Sequence, residues 1–378
     1  MNYCLLPWLH QFINTDGKVY PCCKLAGVEK FVLGDVNQKS LREIWADLPM
    51  KTMRKDFKNQ KYPKECYLQC FNNSNPLNVF ISNTYKQDKQ NIYNTTDIDG
   101  TYPFNLKILN LNESNVCNHK CLYCNKDYSY LLDENKKIQK AYNTPEALIK
   151  DIDSVIEGVE HIIFASGESV LQPGYYYTLK KIKEKNLKIK LDFVTNFSKT
   201  SYLNNNIFEI LNDHENVTLF ASIDTYGKRQ EYIRKNSSWK VLEENRLKLN
   251  NYKNIKFAVH SVVSNLNIYS LPDFHMDWYT KGYLNKDNLR YLILTSPKKF
   301  HVSVMPEKLK SVITEKYQLY QEFLKTCTDT TINQTTPSNK IQAILKEMQK
   351  SEAYNLKAFR DEYFKEDFLD IFEEFNIC

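Results

Sequence analysis

The 378-residue chain has no apolar run approaching the roughly 20 residues of a membrane span. Its start, Met1-Asn-Tyr-Cys-Leu-Leu-Pro-Trp8, lacks a basic segment, a long apolar core and a small-residue cleavage site, so no secretory signal is expected and a cytoplasmic location is. Charge of one sign is also scarce: 51 Lys and Arg stand against 45 Asp and Glu, a formal balance of +6. Bound metal–thiolate clusters would lower that further, which argues against a nucleic-acid partner. Glycine numbers only nine. With the abundance of Asn, Lys and Tyr, that scarcity reads as compositional bias without functional weight. No internal repeat is present beyond an alternation of strand and helix patterns. The 42% hydrophobic and 25% charged residues suit an ordinary globular protein, long enough for one large α/β domain plus an appendage.

Cysteine is what the chain has in excess. Eight of its ten cysteines lie within the first 124 residues, and five within the first 70. Core packing does not produce such clustering. In a cytoplasmic chain it points to metal or redox work more than to disulfides. Cys117, Cys121 and Cys124 share one short loop in the pattern C-x3-C-x2-C. Three thiolates suit an iron–sulfur cube, one per iron, with the fourth iron left open for chemistry. A zinc knuckle with His119 as fourth ligand is the alternative.

Residues 1–71 form a cysteine-rich unit, and 72–103 a polar, turn-rich connector. From 104 to 325 strands and helices alternate. Strands are expected at Leu106–Leu111, His161–Ala165, Lys188–Val194, Val217–Ile223, Lys256–Val263 and Leu289–Leu294. Thr144-Pro-Glu is a cap leading into a helix over Ala147–Gly158. Further helices are expected at Tyr175–Lys185, Ile207–Leu211 and Ser238–Asn251. Six such strands imply a parallel sheet with right-handed crossovers, able to curl into a partial (β/α)6 TIM-like barrel with chemistry at its carboxyl edge. The fold expected is therefore α/β, with a small N-terminal cysteine-rich domain and a helical tail over 326–378. Cys327, in the polar stretch Thr326–Ser338, and Cys378, the last residue, are expected to be dispensable.

The cysteine loop, with Tyr123 before its last cysteine, resembles that of the radical S-adenosylmethionine (radical SAM) enzymes. The resemblance implies that SAM chelates the open iron of a [4Fe-4S] cluster and is cleaved to a 5′-deoxyadenosyl radical. Ala165-Ser166-Gly167-Glu168, after the second strand, resembles the family's G-G-E-P segment, with Ser166 for the first glycine and Ser169 for the proline. It implies that Ser166, Gly167 and Glu168 hold the SAM amino group. Thr195-Asn196-Phe197 stands where T-N-G is frequent. Ser222-Ile-Asp224 and the following Tyr232-Ile-Arg234 resemble the segments that contact ribose and carboxylate, and Asn265 ends the fifth strand. By that resemblance Asn196, Ser222, Asp224, Arg234 and Asn265 are cofactor-binding residues. Arginine's planar fork suits a carboxylate.

Residues 4–70 resemble the twitch unit, a shortened SPASM domain that binds an auxiliary iron–sulfur cluster, here preceding the barrel. The ligand set implied is Cys4, Cys22, Cys66 and Cys70, with Cys23 in reserve and a [4Fe-4S] cluster expected. Asp16-Gly17 is a hairpin signal that brings Cys4 and Cys22 together. A structural zinc site is the alternative. The implied activity is hydrogen abstraction from an unidentified substrate, with oxidation assisted by the auxiliary cluster and electrons supplied by a flavodoxin or ferredoxin. A small polar metabolite or its conjugate is favoured over a peptide, since no leader-binding segment precedes Cys4. A non-catalytic electron carrier or scaffold is the rival in another class, disfavoured because a carrier has no use for Glu168, Ser222 and Arg234.

Overall fold

The computed structural model describes residues 4–66, 84–85, 88–286, 288–327, 337–350 and 366–377. Strands in chain order are β1 (His10–Ile13), β2 (Lys18–Tyr20), β3 (Gly34–Asp35), β4 (Ile108–Leu111), β5 (Lys120–Cys121), β6 (His161–Phe164), β7 (Lys190–Thr195), β8 (Ser201–Tyr202), β9 (Asn205–Asn206), β10 (Val217–Ala221), β11 (Arg234–Lys235), β12 (Ile255–Val263) and β13 (Leu289–Ile293). The chain divides into two compact units. One comprises Met1–Cys117, Lys126–Val194 and Ile210–Val217, the other Asn118–Asn125, Thr195–Glu209 and Thr218–Cys378.

In the first unit the strand order is β7-β6-β4-β1-β2-β3. β4, β6 and β7 are parallel neighbours, pairing Ile108 with His161 and His161 with Lys190. Ile162, Phe164, Leu191 and Phe193 are buried on one face of this sheet, while Ile163 and Asp192 on the other are part-buried. The helix Pro145–Val155 starts as expected: Thr144 Oγ accepts from Ala147 N at 3.2 Å, and Pro145 supplies the first-turn φ. The helix Pro173–Glu184 also begins at a proline.

The N-terminal hairpin turns at Gly17, whose φ of +84° is a glycine conformation. β1 then lies parallel to β4, with His10 opposite Ile108, so the cysteine-rich segment extends the same sheet. Ser40 and Glu43 form a reciprocal capping box at the start of the helix Leu41–Ala46. That helix and the next, Leu48–Lys58, bury Trp45 and Arg54.

In the second unit β10, β12 and β13 are neighbours, with β12 and β13 parallel. The helices Trp239–Leu249, Leu271–Thr280 and Glu307–Thr326 belong here. An aromatic group of Trp239, Phe257, Phe274 and Trp278 joins strand to helices. Cys327, which the sequence places in a polar stretch, is buried at a helix end. The long helix runs to Thr326, and Cys327 caps it, buried, with its Sγ 3.5 Å from Phe323 O. The threonine-rich sequence after it conceals where the helix ends. Cys378 lies outside the described residues. Near the C-terminus, Glu374 receives both ends of the Arg229 guanidinium at 2.6 Å beside Phe372.

Candidate active site

Within the first unit, the loop after β6 is fastened to the residue that precedes Cys117. Val116 O accepts from Glu168 N at 2.8 Å and from Gln172 Nε2 at 3.1 Å. Gly167, at φ +38°, lies so close to this backbone that a Cβ would stand 2.2 Å from Val116 O. Only glycine fits. Ser166 is committed to the scaffold: its Oγ accepts from Glu113 N at 3.0 Å and pairs with Tyr175 Oη at 2.7 Å. Glu168 is fully buried, and one carboxylate oxygen accepts from Val170 N.

Glu113 had no part in the sequence argument. Its carboxylate accepts from Gly174 N at 2.8 Å, capping the Pro173–Glu184 helix, and burial pushes its pKa up to about 7. As an isolated acid between two motifs it gave no signal of its own.

Within the second unit, the other end of the cysteine loop is paired to the segment that carries Arg234. β5 and β11 are antiparallel, with Cys121 opposite Arg234. Asp224 is the hub. Its Oδ2 accepts from Arg234 Nε at 2.7 Å and from the Tyr123 hydroxyl, and its Oδ1 accepts from Val262 N at 2.8 Å and Arg234 Nη2 at 3.2 Å. Arg234 Nη1 lies 3.9 Å from Cys121 Sγ. Burial opposes the Arg234 charge, but Asp224 and then Cys121 and Tyr123 outweigh it and hold its pKa above the usual range. Burial pushes the Cys121 thiol up to about 11 against the pull of Arg234. Such a thiol ionises when metal replaces its proton.

Asn196 braces the same loop: its Nδ2 donates to Asn118 Oδ1 at 2.9 Å, while Ser198 donates to its Oδ1. Ser222 is part-exposed, and among the described residues its hydroxyl makes no hydrogen bond. Asn265 donates to Lys299 O at 3.2 Å, whereas its Oδ1 is buried without a partner among the described residues. His119 is buried, and burial with Arg234 pushes its pKa down to about 3.

Cys4, Cys22 and Cys66 lie in one buried apolar cluster with Trp8, Leu25 and Phe31. Burial, then Cys23 and Cys4, raise the Cys22 pKa well above the ordinary thiol value. Cys23 is exposed, and Cys70 lies outside the described residues. Among the described residues, no three His, Cys, Asp or Glu side chains converge on a point that would hold a single metal ion. A cubane asks for a different arrangement, one thiolate per iron around a body of several atoms. The donors present fit such a group: three thiols share one loop, and the Arg234 guanidinium lies beside the Cys121 sulfur.

Residues 111–269 match the family model described as the radical SAM superfamily, and residues 4–71 that described as an iron–sulfur cluster-binding domain, SPASM. No curated protein matches the chain. Similar solved structures include native anSMEcpe with bound AdoMet, at 20% identity over 58% of this chain and 62% of that one, with a TM-score of 0.44. The chain thus spans less than two thirds of that protein. Another is Streptococcus suis SuiB bound to S-adenosylmethionine, at 15% identity over 84% of this chain and 67% of that one, with a TM-score of 0.45. A third is TYW1 with a lysine-pyruvate adduct, at 13% identity over 61% and 74%, with a TM-score of 0.36. The two matches support a radical SAM domain over residues 111–269, preceded by an iron–sulfur cluster-binding domain over residues 4–71.

Proposed function

We propose that the protein is a cytoplasmic radical SAM enzyme whose N-terminal segment holds an auxiliary iron–sulfur cluster of the twitch type. One observation carries the reading. The three-cysteine loop is fastened at Val116 to the Gly167-Glu168 segment and paired at Cys121 with Arg234, the segments expected to hold SAM. Cys117, Cys121 and Cys124 would ligate the SAM-binding [4Fe-4S] cluster. Cys4, Cys22, Cys66 and Cys70 would ligate the auxiliary one, and the burial of Cys22 beside an exposed Cys23 supports that choice.

When bound, the cluster and SAM supply a 5′-deoxyadenosyl radical able to abstract hydrogen from an unactivated C–H bond. The chain's own residues bind and orient. Glu168 and the Gly167 backbone would receive the SAM amino group. Ser222 would take a ribose hydroxyl, and Asn265 Oδ1 would accept a donor from the nucleoside. Arg234 Nη1 lies 3.9 Å from Cys121 Sγ, so this guanidinium would meet both Cys121 and the SAM carboxylate. Asp224, whose oxygens are filled by protein donors, would act by holding Arg234 and Tyr123. Asn196 would act by bracing Asn118 beside Cys117. The barrel would be a partial (β/α)6 over 104–325, following the 1–71 domain and the 72–103 connector, with 326–378 as its tail. A flavodoxin or ferredoxin would supply electrons. The reaction would be an oxidation of a small polar metabolite or conjugate.

The test is metal and product content. Anaerobically reconstituted full-length protein is expected to hold about eight irons per chain and, with dithionite, to convert SAM slowly to methionine and 5′-deoxyadenosine. Alanine at all three loop cysteines should remove about half the iron and all of the cleavage. Stoichiometric zinc without iron would overturn the proposal, and iron without SAM cleavage would favour an electron carrier.

A further inference from the structure

Within the second unit, the C-terminal segment grips the short helix that leads into Arg234. That helix, Gly227–Ile233, is two turns long and too short to be stable by itself. Its side chains divide by helical spacing. Gln230 and Ile233, both buried, serve the site. Gln230 Oε1 accepts from Asp224 N at 3.0 Å and Thr225 N at 3.3 Å. Ile233 O accepts from Leu122 N, between Cys121 and Cys124, at 2.9 Å. Arg229 and Tyr232 serve the tail. Arg229 Nη1 and Nη2 each donate to one Glu374 oxygen at 2.6 Å. Tyr232 meets Phe368 and Phe372 edge-on, with ring centroids 5.9 and 5.3 Å apart.

The tail is ordered by its own aromatic packing. Phe368 stacks on Phe372 at 4.7 Å and meets Phe375 at 5.5 Å, and all three are buried. Phe372 also lies 5.2 Å from the Arg229 guanidinium. The Glu374 side chain is 2% exposed and that of Arg229 14%. Burial opposes the Arg229 charge, but Glu374 outweighs it and raises the pKa. A buried ion pair adds little net stability over an apolar contact of the same size. What two parallel N–H bonds add is direction, because they hold the guanidinium fork in one orientation. The pair therefore fixes where the helix stands more than how strongly it packs.

We infer that the C-terminal segment 366–377 is a clamp on the SAM site, with Glu374 a positioning residue that acts through Arg229 and its helix on Arg234 and the cluster loop. Docked, the tail fixes the helix at Arg229 and Tyr232. The same helix then presents Gln230 to Asp224, Ile233 O to the loop and, one residue on, Arg234 to Asp224 and Cys121. Tail docking and SAM binding are thereby coupled, and such coupling is reciprocal. The consequence for SAM rests on the radical SAM reading, while the clamp on the loop does not.

Reconstituted full-length protein carrying Glu374→Gln, Arg229→Gln or both is compared with the wild type. SAM affinity is read by equilibrium dialysis, iron by analysis and local order by hydrogen exchange. Each single variant should weaken SAM binding about tenfold and quicken exchange over 119–124 and 227–236 by a similar factor, with iron unchanged. The double variant, which orphans no charge, should match the weaker single, because the two residues act as one contact. Reciprocally, SAM should slow exchange over 366–377 in the wild type and not in the variants, a response that tail packing alone would not give. SAM affinity within about twofold of wild type in both single variants, or effects that multiply in the double, would overturn the clamp. So would a wild type that binds SAM with no change in tail exchange. A wild type that binds no SAM would instead refute the radical SAM reading. Quickened exchange over 119–124 in Glu374→Gln apoprotein would then leave the clamp standing, and unchanged exchange would sink it.

Discussion

Replacing Asp224 with asparagine should loosen the second unit more than any other isosteric change in it. Asp224 is wholly buried and carries the only formal negative charge that compensates Arg234 among the described residues, at 2.7 Å from its Nε. Asparagine keeps the shape and still accepts from Val262 N, but leaves the guanidinium buried without a counter-charge. Breaking a buried pair from one side costs about 3–5 kcal/mol. Unfolding of so large a chain is not two-state, so the cost is best read locally by hydrogen exchange. Amides of 255–263, 119–124 and 229–236 should exchange roughly a hundredfold faster or more, at about 1.4 kcal/mol per tenfold. The apoprotein serves for this measurement, which separates the effect from loss of metal.

The double variant Asp224→Asn with Arg234→Gln removes both charges, and should be less destabilised than Asp224→Asn alone. The cost then lies in the orphaned cation and not in the lost contact. Less than tenfold faster exchange in the single variant would refute the reasoning. So would a double variant as labile as the sum of the two singles.

Four further outcomes follow from named contacts. Gly167→Ala should weaken SAM binding at least tenfold by equilibrium dialysis with little change in loop-cluster iron, because its Cβ would stand 2.2 Å from Val116 O. Cys22→Ser should lower iron by about half, whereas Cys23→Ser, at an exposed position, should leave iron analysis unchanged. Cys327→Ser should retain iron and SAM cleavage; intact cleavage with loss of product would instead make this thiol a hydrogen donor. For Glu113, burial holds the folded pKa up to about 7 against 4.5, so the folded chain binds the extra proton between those values. The resulting stabilisation is complete below pH 4.5 and lost as pH rises through 7. Intrinsic-rate-corrected exchange at the start of the 173–184 helix should therefore quicken from pH 5 to 8, and Glu113→Gln should remove that dependence.

The strands expected after residue 104 were legible because each is a short β-branched or apolar run bounded by turn residues, and all six expected segments begin and end within two residues of the observed strands. The helix at 145–155 was legible from Thr144 and Pro145, which act locally. What stayed hidden is long-range. Nothing in His10–Ile13 announces that it will lie parallel to Ile108–Leu111, since the pairing joins residues almost a hundred apart. Arg234 was legible as a cation that would meet a carboxylate, but not that Asp224 already occupies most of its fork. Arg229 and Glu374 meet across 145 residues, and neither lies in a pattern that marks the other. The polar stretch Thr326–Ser338 gave no sign that Cys327 would be buried, since its burial is decided by the preceding turn of helix and Phe323 O.

These hidden contacts share a physical theme. A loop with three cysteines in eight residues has little core of its own, and metal binding needs its thiols held in register before they ionise. The chain supplies that restraint at separate points: Glu168 N and Gln172 Nε2 on Val116 O, Asn196 and Asn236 on Asn118, and β11 on Cys121. Each restraint comes from a segment the sequence also marks as cofactor-binding. Residues that position the cluster loop are thus neighbours of those expected to grip SAM, so a substitution in one set should disturb the other. Iron content and SAM affinity measured on the same variants separate the two effects. Ser222→Ala should lower SAM affinity alone, since among the described residues its hydroxyl makes no hydrogen bond to the loop, whereas Asn196→Ala should lower iron first.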